Sequence, residues 1–135
     1  MDFEIVSIVR LLVSLALGVL IGSERERRAK AAGVKTHALI SLGSCLFVLI
    51  GLTWYEADMS SDLLRLFQGI ATGVGFVGAG AIMKQGEHIE GVTTAACIWV
   101  TAAVGMAIGA GQYLLGGVTA VLVFLFLRIM YRFNF

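Results

Sequence analysis

Long apolar segments separated by short polar connections make up most of this chain. Each segment is close to the roughly 20 residues that an α-helix needs to cross a bilayer. The pattern predicts membrane-spanning helices at residues 5–22, 38–54, 66–83, 93–108 and 113–130. A helix satisfies every backbone donor and acceptor within its own segment, as hydrocarbon requires. We therefore expect an all-α integral membrane protein, a bundle of five transmembrane helices forming one domain over residues 1–135.

Composition strengthens this prediction. Hydrophobic residues make up 59% of the chain and charged residues 14%, with a mean hydropathy of +0.92. A chain this short cannot bury so much apolar surface inside a water-soluble globule. The net charge is only +1, and no basic patch is interleaved with aromatic residues, so nucleic-acid binding is not expected.

Basic residues predict the orientation of the bundle. Those of the first connection are Arg25, Arg27, Arg28, Lys30 and Lys35. Because cytoplasmic loops are enriched in Lys and Arg, this connection should face the cytoplasm. Five crossings then place the N-terminus outside and the C-terminus, with Arg128 and Arg132, in the cytoplasm. The acidic start, with Asp2 and Glu4, lacks the positive region of a cleavable signal peptide, so the first helix should be retained.

Glycine pairs spaced four residues apart occur on three of the predicted spans. They are Gly18 with Gly22, Gly69 with Gly73, and Gly105 with Gly109. Each pair lies on one helix face and allows a neighbouring backbone to approach closely. The spacing fits either a compact bundle or a seam between subunits.

The third span contains a literal GxGxxG at Gly73, Gly75 and Gly78, followed by Gly80. A dinucleotide site needs this motif between a strand and a helix, and no such context is present here. Two interpretations remain for a membrane segment. The glycines either pack closely against a neighbour, or they break the helix so that its amides line a polar cavity.

Arg10 lies about a turn and a half inside the first span. An unpaired cation at full depth would cost about 2.5 to 3.5 kcal/mol on insertion scales. Its side chain is expected either to extend to the outer surface or to join Glu56, Asp58 or Asp62 in a cavity.

A second group of polar residues lies at the other end of the first helix. One interpretation extends that helix into the cytoplasm with Glu24–Arg28 and Glu26–Lys30 pairs, each four residues apart. The other turns Glu24 and Arg25 inward to meet Thr36 and His37 in a buried polar cluster. Both remain open, and anionic lipid headgroups would also attract the cations here.

The fourth span begins with Thr93 and Thr94, whose hydroxyls are suited to capping free helix amides. Trp99 lies too deep for a simple interfacial anchor, which favours a packing or subunit contact. Cys45 and Cys97 lie inside predicted spans without a CxxC pattern, so we expect ordinary packing and neither a zinc site nor a disulfide.

Four motifs in this order resemble the MgtC/SapB family of bacterial membrane proteins. They are GSER at Gly22 to Arg25, KTHAL at Lys35 to Leu39, GVGFVGAGAI at Gly73 to Ile82, and GVTTAACIWVTAAVGMAIGAG at Gly91 to Gly111. The chain departs from the family at Lys35, where Arg is usual, and at Cys97, where Ser is common. The resemblance implies a bacterial cytoplasmic-membrane location. Longer family members carry a cytoplasmic C-terminal ACT-like domain, and this sequence stops before such a domain.

The resemblance implies a regulator of adaptation to low magnesium or stress that acts through contacts with membrane proteins, with the F-type ATP synthase as a partner. The alternative is an oligomeric channel or carrier for Mg²⁺ or another small solute. Magnesium prefers oxygen ligands, and no Asp or Glu lies well inside a predicted span, so we favour the regulator.

Neither catalysis nor a cofactor is expected, because the sequence has no nucleophile set or metal-ligand cluster in a usable context. The expected partners are the lipid bilayer, a second copy of the chain or another membrane protein. The candidate polar residues are Arg10, Glu24, Arg25, Thr36 and His37, and the candidate packing or pore-lining residues are Gly73, Gly75, Gly78, Gly80, Thr93, Thr94, Trp99, Gly105 and Gly109.

Overall fold

The computed structural model describes residues 2–54 and 60–133, with the backbone alone described at residues 60 and 61. Five helices and a short hairpin follow one another along the described chain. They are α1 (Asp2–Arg27), α2 (Val34–Thr53), α3 (Ser60–Ala79), β1 (Met83–Gln85), β2 (His88–Glu90), α4 (Val92–Gly109) and α5 (Tyr113–Arg132). The predicted all-α bundle of five helices is confirmed.

Contacts between helix ends show that the helices alternate in direction. Arg28, just after α1, stacks on Tyr131 near the end of α5, so these two helices finish at the same end of the bundle. Arg10, near the start of α1, contacts Gly109 at the end of α4. Among the described residues, α1, α2, α4 and α5 are long and apolar enough to cross a membrane, and the chain is a multi-pass membrane protein.

Helix α1 is longer than the predicted span 5–22, because it continues to Arg27 through a polar last turn. Helix α2 begins at Val34, four residues before the predicted start at residue 38. The carboxylate of Glu26 accepts a hydrogen bond from the backbone N–H of Val34 at 2.8 Å. A side chain of one helix therefore satisfies a free amide at the start of the next.

The third helix differs from the predicted span at both ends, and the predicted end at residue 83 was wrong. Helix α3 runs from Ser60 to Ala79, not from 66 to 83, and its first turns carry Asp62 and Arg65. After Ala79 the chain turns and forms an antiparallel hairpin in which Met83 faces Glu90 and Gln85 faces His88. Hydropathy missed this change because Ala81, Ile82 and Met83 continue the apolar run beyond the end of the helix.

Helix α2 packs against both α1 and α4, and glycines make both contacts close. A β-carbon at Gly18 would lie 2.6 Å from the carbonyl oxygen of His37, and one at Gly109 would lie 2.8 Å from that of Cys45. Gly22 and Gly105 of the same pairs also meet the α2 segment. Ile108 lies fully buried with Cys45 and Leu49 in the core between these helices.

The outer surface of the bundle is apolar. Among its large exposed side chains, Phe76 is 83% and Leu114 is 82% exposed to solvent. Trp99 is 55% exposed and lies outside the core, so it does not pack inside the bundle formed by the described residues. Such a surface is suited to lipid.

Candidate functional site

Polar residues gather at two opposite ends of the bundle. We call the end where α1 finishes and α4 begins the Arg25 end, and the end where α4 finishes the Arg10 end. At the Arg25 end, Glu24 and Arg25 are each only 4% exposed although both belong to the last turn of α1. Nη2 of Arg25 donates to Oγ1 of Thr94 at 3.1 Å. The polar contact thus joins α1 to the start of α4.

The carboxylate of Glu24 has a different partner. Its Oε1 receives a hydrogen bond from Nε of Arg28 at 3.1 Å, and the guanidinium carbon of Arg28 lies 3.5 Å from the centre of the Tyr131 ring. These contacts hold α1 to the end of α5. The predicted Glu24–Arg28 pair is present, whereas Glu26 bonds to the amide of Val34 instead of to Lys30.

Both predicted arrangements of this region are therefore realised in part. Glu24 and Arg25 turn inward, and His37 is fully buried nearby at the start of α2. Its Nδ1 lies 2.9 Å from the carbonyl oxygen of Gly33, and its Nε2 has no hydrogen-bond partner in the part of the chain that the structure describes. The hydrogen-bond partner of Arg25 is Thr94, however, while Thr36 is half-buried at the start of α2.

The predicted capping role of Thr93 and Thr94 was wrong. Helix α4 is preceded by Gly91, whose φ of 87° is in the left-handed region, and this cap position makes no side-chain hydrogen bond. The hydroxyl of Thr94 accepts from Arg25, and Thr93 is exposed. A β-carbon at Gly91 would collide with the carbonyl oxygen of Ala81, so glycine is required where the hairpin meets the helix.

At the Arg10 end, the guanidinium finds a partner that the sequence did not indicate. Nη1 of Arg10 donates to the carbonyl oxygen of Gly109 at 2.8 Å, at the C-terminal end of α4. A cation at a helix C-terminus interacts favourably with the helix dipole. Arg10 is half-buried and reaches towards the end of α4, so extension to the outer surface stays a prediction, while no pair with Asp62 is formed among the described residues. Glu56 and Asp58 lie outside the described residues.

The glycines of α3 divide into two groups. No atom of the described residues lies within 4 Å of a β-carbon placed at Gly69, Gly73 or Gly75, whereas one at Gly78 would lie 3.3 Å from the carbonyl oxygen of Ala95 on α4. Helix α3 is continuous through these positions and ends just before Gly80. Of the two interpretations, a broken helix is not seen at Gly73, Gly75 or Gly78, and among the described residues the one motif glycine of α3 that packs closely against another helix is Gly78.

Gly69 and Gly73 line an apolar groove between α2 and α3 of about 650 Å³. Its wall on α2 includes Gly43, which also has no atom within 4 Å of a β-carbon. Arg65 is the one charged residue among the lining residues. We call this feature the α2–α3 groove.

Both cysteines are buried. Cys45 and Cys97 are free thiols within the bundle. Among residues 2–54 and 60–133, no three His, Cys, Asp or Glu side chains come together as a metal site would require.

Comparison with known proteins gives a consistent result. The family model described as the MgtC family matches residues 11–134. YhiD of Escherichia coli strain K12, named "Putative magnesium transporter YhiD", is 41% identical over 133 residues, covering 95% of this chain and 62% of the relative. No solved structure gives a significant match.

Two further relatives carry different names. SrpB of Synechococcus elongatus is 41% identical over 119 residues, covering 79% of this chain and 65% of SrpB. MgtC of Salmonella typhimurium strain LT2 is 39% identical over 106 residues, covering 78% of this chain and 44% of MgtC. The chain thus spans less than two thirds of the length of these curated relatives.

Proposed function

The chain belongs to the MgtC family, and from this membership we propose that it is a regulatory membrane protein that acts through contacts with other membrane proteins. We propose that this regulation serves adaptation to low magnesium or stress. The name of the relative YhiD, which refers to magnesium, supports this physiological role. The α2–α3 groove supports action by contact.

The proposal rests on a difference between two sets of glycines. In a closed seam the glycines pack against another helix of the same chain, and in an open seam no atom of the described residues covers them. Gly18, Gly22, Gly105 and Gly109 are each covered by the α2 segment of the same chain. Gly43, Gly69 and Gly73 line the α2–α3 groove and are covered by nothing in the described residues. Because small residues allow transmembrane helices to approach closely, the groove is suited to one more helix.

The charge in the groove indicates which kind of helix would fit. Arg65 lines the groove about a turn and a half from the start of α3, and no carboxylate of the described residues forms an ion pair with it. A guanidinium next to an apolar groove favours a partner with a carboxylate at the same depth. The proposed occupant is a transmembrane helix of a partner protein with an acidic residue near that end.

The distribution of carboxylates supports contact rather than transport. In the described residues, Asp and Glu lie at or beyond helix ends, as at Glu24, Asp62 and Glu90. Glu24 is already paired with Arg28. Magnesium dehydrates reluctantly and is normally met by several oxygen ligands, which these separated groups do not provide.

Site-specific photocrosslinking in native membranes tests the proposal. A photoreactive side chain at Gly73 should capture one identified membrane protein, whereas the same group at Gly117 of α5 should not. Gly117 is a matched control because it also has no atom within 4 Å of a β-carbon. The F-type ATP synthase is the first candidate to identify, on the basis of family resemblance alone.

Exchanging the charges of Arg65 and of the partner's acidic residue distinguishes a specific contact from non-specific crosslinking. Arg65→Glu should abolish the crosslink, and a Lys in place of the acidic residue of the captured helix should restore it. Capture of a second copy of this chain would assign the groove to self-association, and capture of lipid alone would overturn the proposal.

Transport is a second candidate, favoured by the name of the relative YhiD. Purified protein in liposomes that contain a magnesium-sensitive dye would give protein-dependent flux if the chain forms a channel or carrier. Absence of flux at every gradient, together with a crosslink from Gly73, is the result expected from regulation by contact.

A further inference from the structure

A second cavity lies at the Arg25 end of the bundle and is separate from the α2–α3 groove. It has a volume of about 630 Å³ and lies between the first connection, the hairpin and the start of α4. We call it the Arg25 pocket. Its polar lining residues are Arg25, Lys30, Glu90, Thr93 and Thr94. We propose that this pocket binds a phosphate group, carried by either a lipid headgroup or a soluble compound.

The first argument is the unbalanced charge of Arg25. The residue is only 4% exposed, yet its Nε has no hydrogen-bond partner among the described residues. Its Nη2 bonds to the neutral hydroxyl of Thr94, and no carboxylate of the described residues lies within 4.0 Å of it. The neighbouring carboxylate of Glu24 is held by Arg28. A buried cation without a counter-ion is costly, and an anion in the pocket would remove that cost.

The second argument is the start of α4, which lines the same pocket with Val92, Thr93 and Thr94. The first backbone hydrogen bond of this 18-residue helix is donated by Ala95 to Gly91 at 2.9 Å. The N–H groups of the three preceding residues have no acceptor within the helix, and the cap position, Gly91, supplies no side-chain hydrogen bond to them. Free amides and the positive end of the helix dipole together favour an oxyanion.

The charged lining residues are two cations and one carboxylate, so the lining is positive on balance. Lys30 adds a second cation to the pocket wall, and Glu90 on β2 is the one carboxylate among the lining residues. Both are exposed, so either can adjust to a ligand. Arginine is well suited to phosphate because its planar guanidinium offers several donors at once. The volume is within the range of about 300 to 1,000 Å³ typical of small-molecule sites, enough for a phosphate and an attached group.

Titration with two phosphate sources tests the proposal on the whole chain. The protein in neutral detergent is titrated with inorganic phosphate at constant ionic strength, and thermal unfolding is followed by tryptophan fluorescence. In parallel it is placed in nanodiscs of phosphatidylcholine with or without phosphatidylglycerol. A saturable rise of the unfolding midpoint with inorganic phosphate identifies a soluble source, and a rise with phosphatidylglycerol alone identifies a lipid headgroup. No rise in either arm overturns the proposal.

Three variants show whether the binding occurs in the Arg25 pocket. Arg25→Gln should weaken apparent binding by about tenfold or more, because a charge-assisted hydrogen bond is lost. Lys30→Gln should weaken it by about two- to fivefold, as expected for an exposed cation. Arg27→Gln should leave it unchanged, because Arg27 is exposed in the same connection but does not line the pocket.

These variants keep the test decisive if Arg25→Gln does not fold. The comparison of Lys30→Gln with Arg27→Gln then decides, because both residues are exposed. Equal weakening of phosphate binding in the two variants would indicate a general attraction of anions to the basic connection and would overturn the proposal of a site in the Arg25 pocket. The result is independent of the partner crosslinks from Gly73, so either proposal can fail alone.

Discussion

At the residue scale, the two inward-facing arginines are stabilised by different kinds of group. Arg10 donates to the backbone carbonyl of Gly109, and the dipole of α4 favours the cation at that end. Arg25 lies in the last turn of α1, where the dipole of α1 favours a cation, and beside the start of α4, where the dipole of α4 does not; it donates to the hydroxyl of Thr94. The Nε atoms of both arginines lack a hydrogen-bond partner among the described residues, but Arg25 also lines a pocket beside the start of α4.

The contact between Arg10 and Gly109 predicts a loss of stability on neutralisation. Arg10→Gln should lower the free energy of unfolding by about 1.5 to 3 kcal/mol, the usual range for a hydrogen bond to a charged group. Unfolding in detergent, followed by tryptophan fluorescence, measures the change. Lys84→Gln is the control, because Lys84 is exposed on β1. An equal, small effect of both substitutions would contradict a structural role for Arg10.

The residue scale also shows how much of the site the sequence could predict. The inward turn of Glu24 and Arg25 was an open prediction, because their position directly after an apolar span allows either burial or exposure. Thr94 was correctly predicted at the start of a helix, but its hydroxyl accepts a hydrogen bond from Arg25 instead of capping the helix. Its contact joins residues 69 positions apart, and no local spacing encodes such a distance.

At the element scale, α2 is the helix on which the bundle is assembled. The glycine pairs of α1 and α4 both face the α2 segment, so its backbone lies between two close helix contacts. Helix α3 has no such contact at Gly69 or Gly73 and presents an open seam. The same four-residue spacing therefore serves internal packing in two helices and leaves one surface open in the third.

This difference predicts opposite effects of the same substitution. Gly105→Ala should destabilise the protein by about 1 to 3 kcal/mol, because the added methyl group meets the backbone of Ser41. Gly73→Ala should leave stability unchanged or raise it by up to about 1 kcal/mol, since alanine is the better helix former and the space is open. Thermal unfolding in one detergent compares the two variants. A larger loss with Gly73→Ala than with Gly105→Ala would contradict the assignment of closed and open seams.

Element boundaries were predictable only where hydropathy and chain direction change together. The end of α4 and the start of α5 flank Gly111, whose φ of 81° marks the turn, and both were predicted within a residue. The end of α3 was missed because apolar residues continue into the hairpin. Gly86, with a φ of 63° between the strands, is the local signal that would have indicated it.

At the scale of the whole molecule, the orientation in the membrane remains a prediction. The basic first connection should lie in the cytoplasm, and the connection after α4 should lie outside. In intact spheroplasts, a membrane-impermeant maleimide should label Gln112→Cys and leave Lys30→Cys unlabelled. Both native residues are exposed, at opposite ends of the bundle, and the native thiols of Cys45 and Cys97 are buried. Labelling of Lys30→Cys alone would reverse the orientation.

The sequence by itself determined the class of this protein: a multi-pass helical bundle of the MgtC family. It could do so because lipid imposes length and hydropathy on each helix separately, and both can be read locally. The tertiary structure decided which glycine seams are closed and that Arg10 bonds to Gly109. It also decided that Arg25 lines a pocket and forms no ion pair with a carboxylate of the described residues. Those features depend on which residues of distant helices meet, and that is settled by packing of the whole bundle rather than by spacing along any one helix.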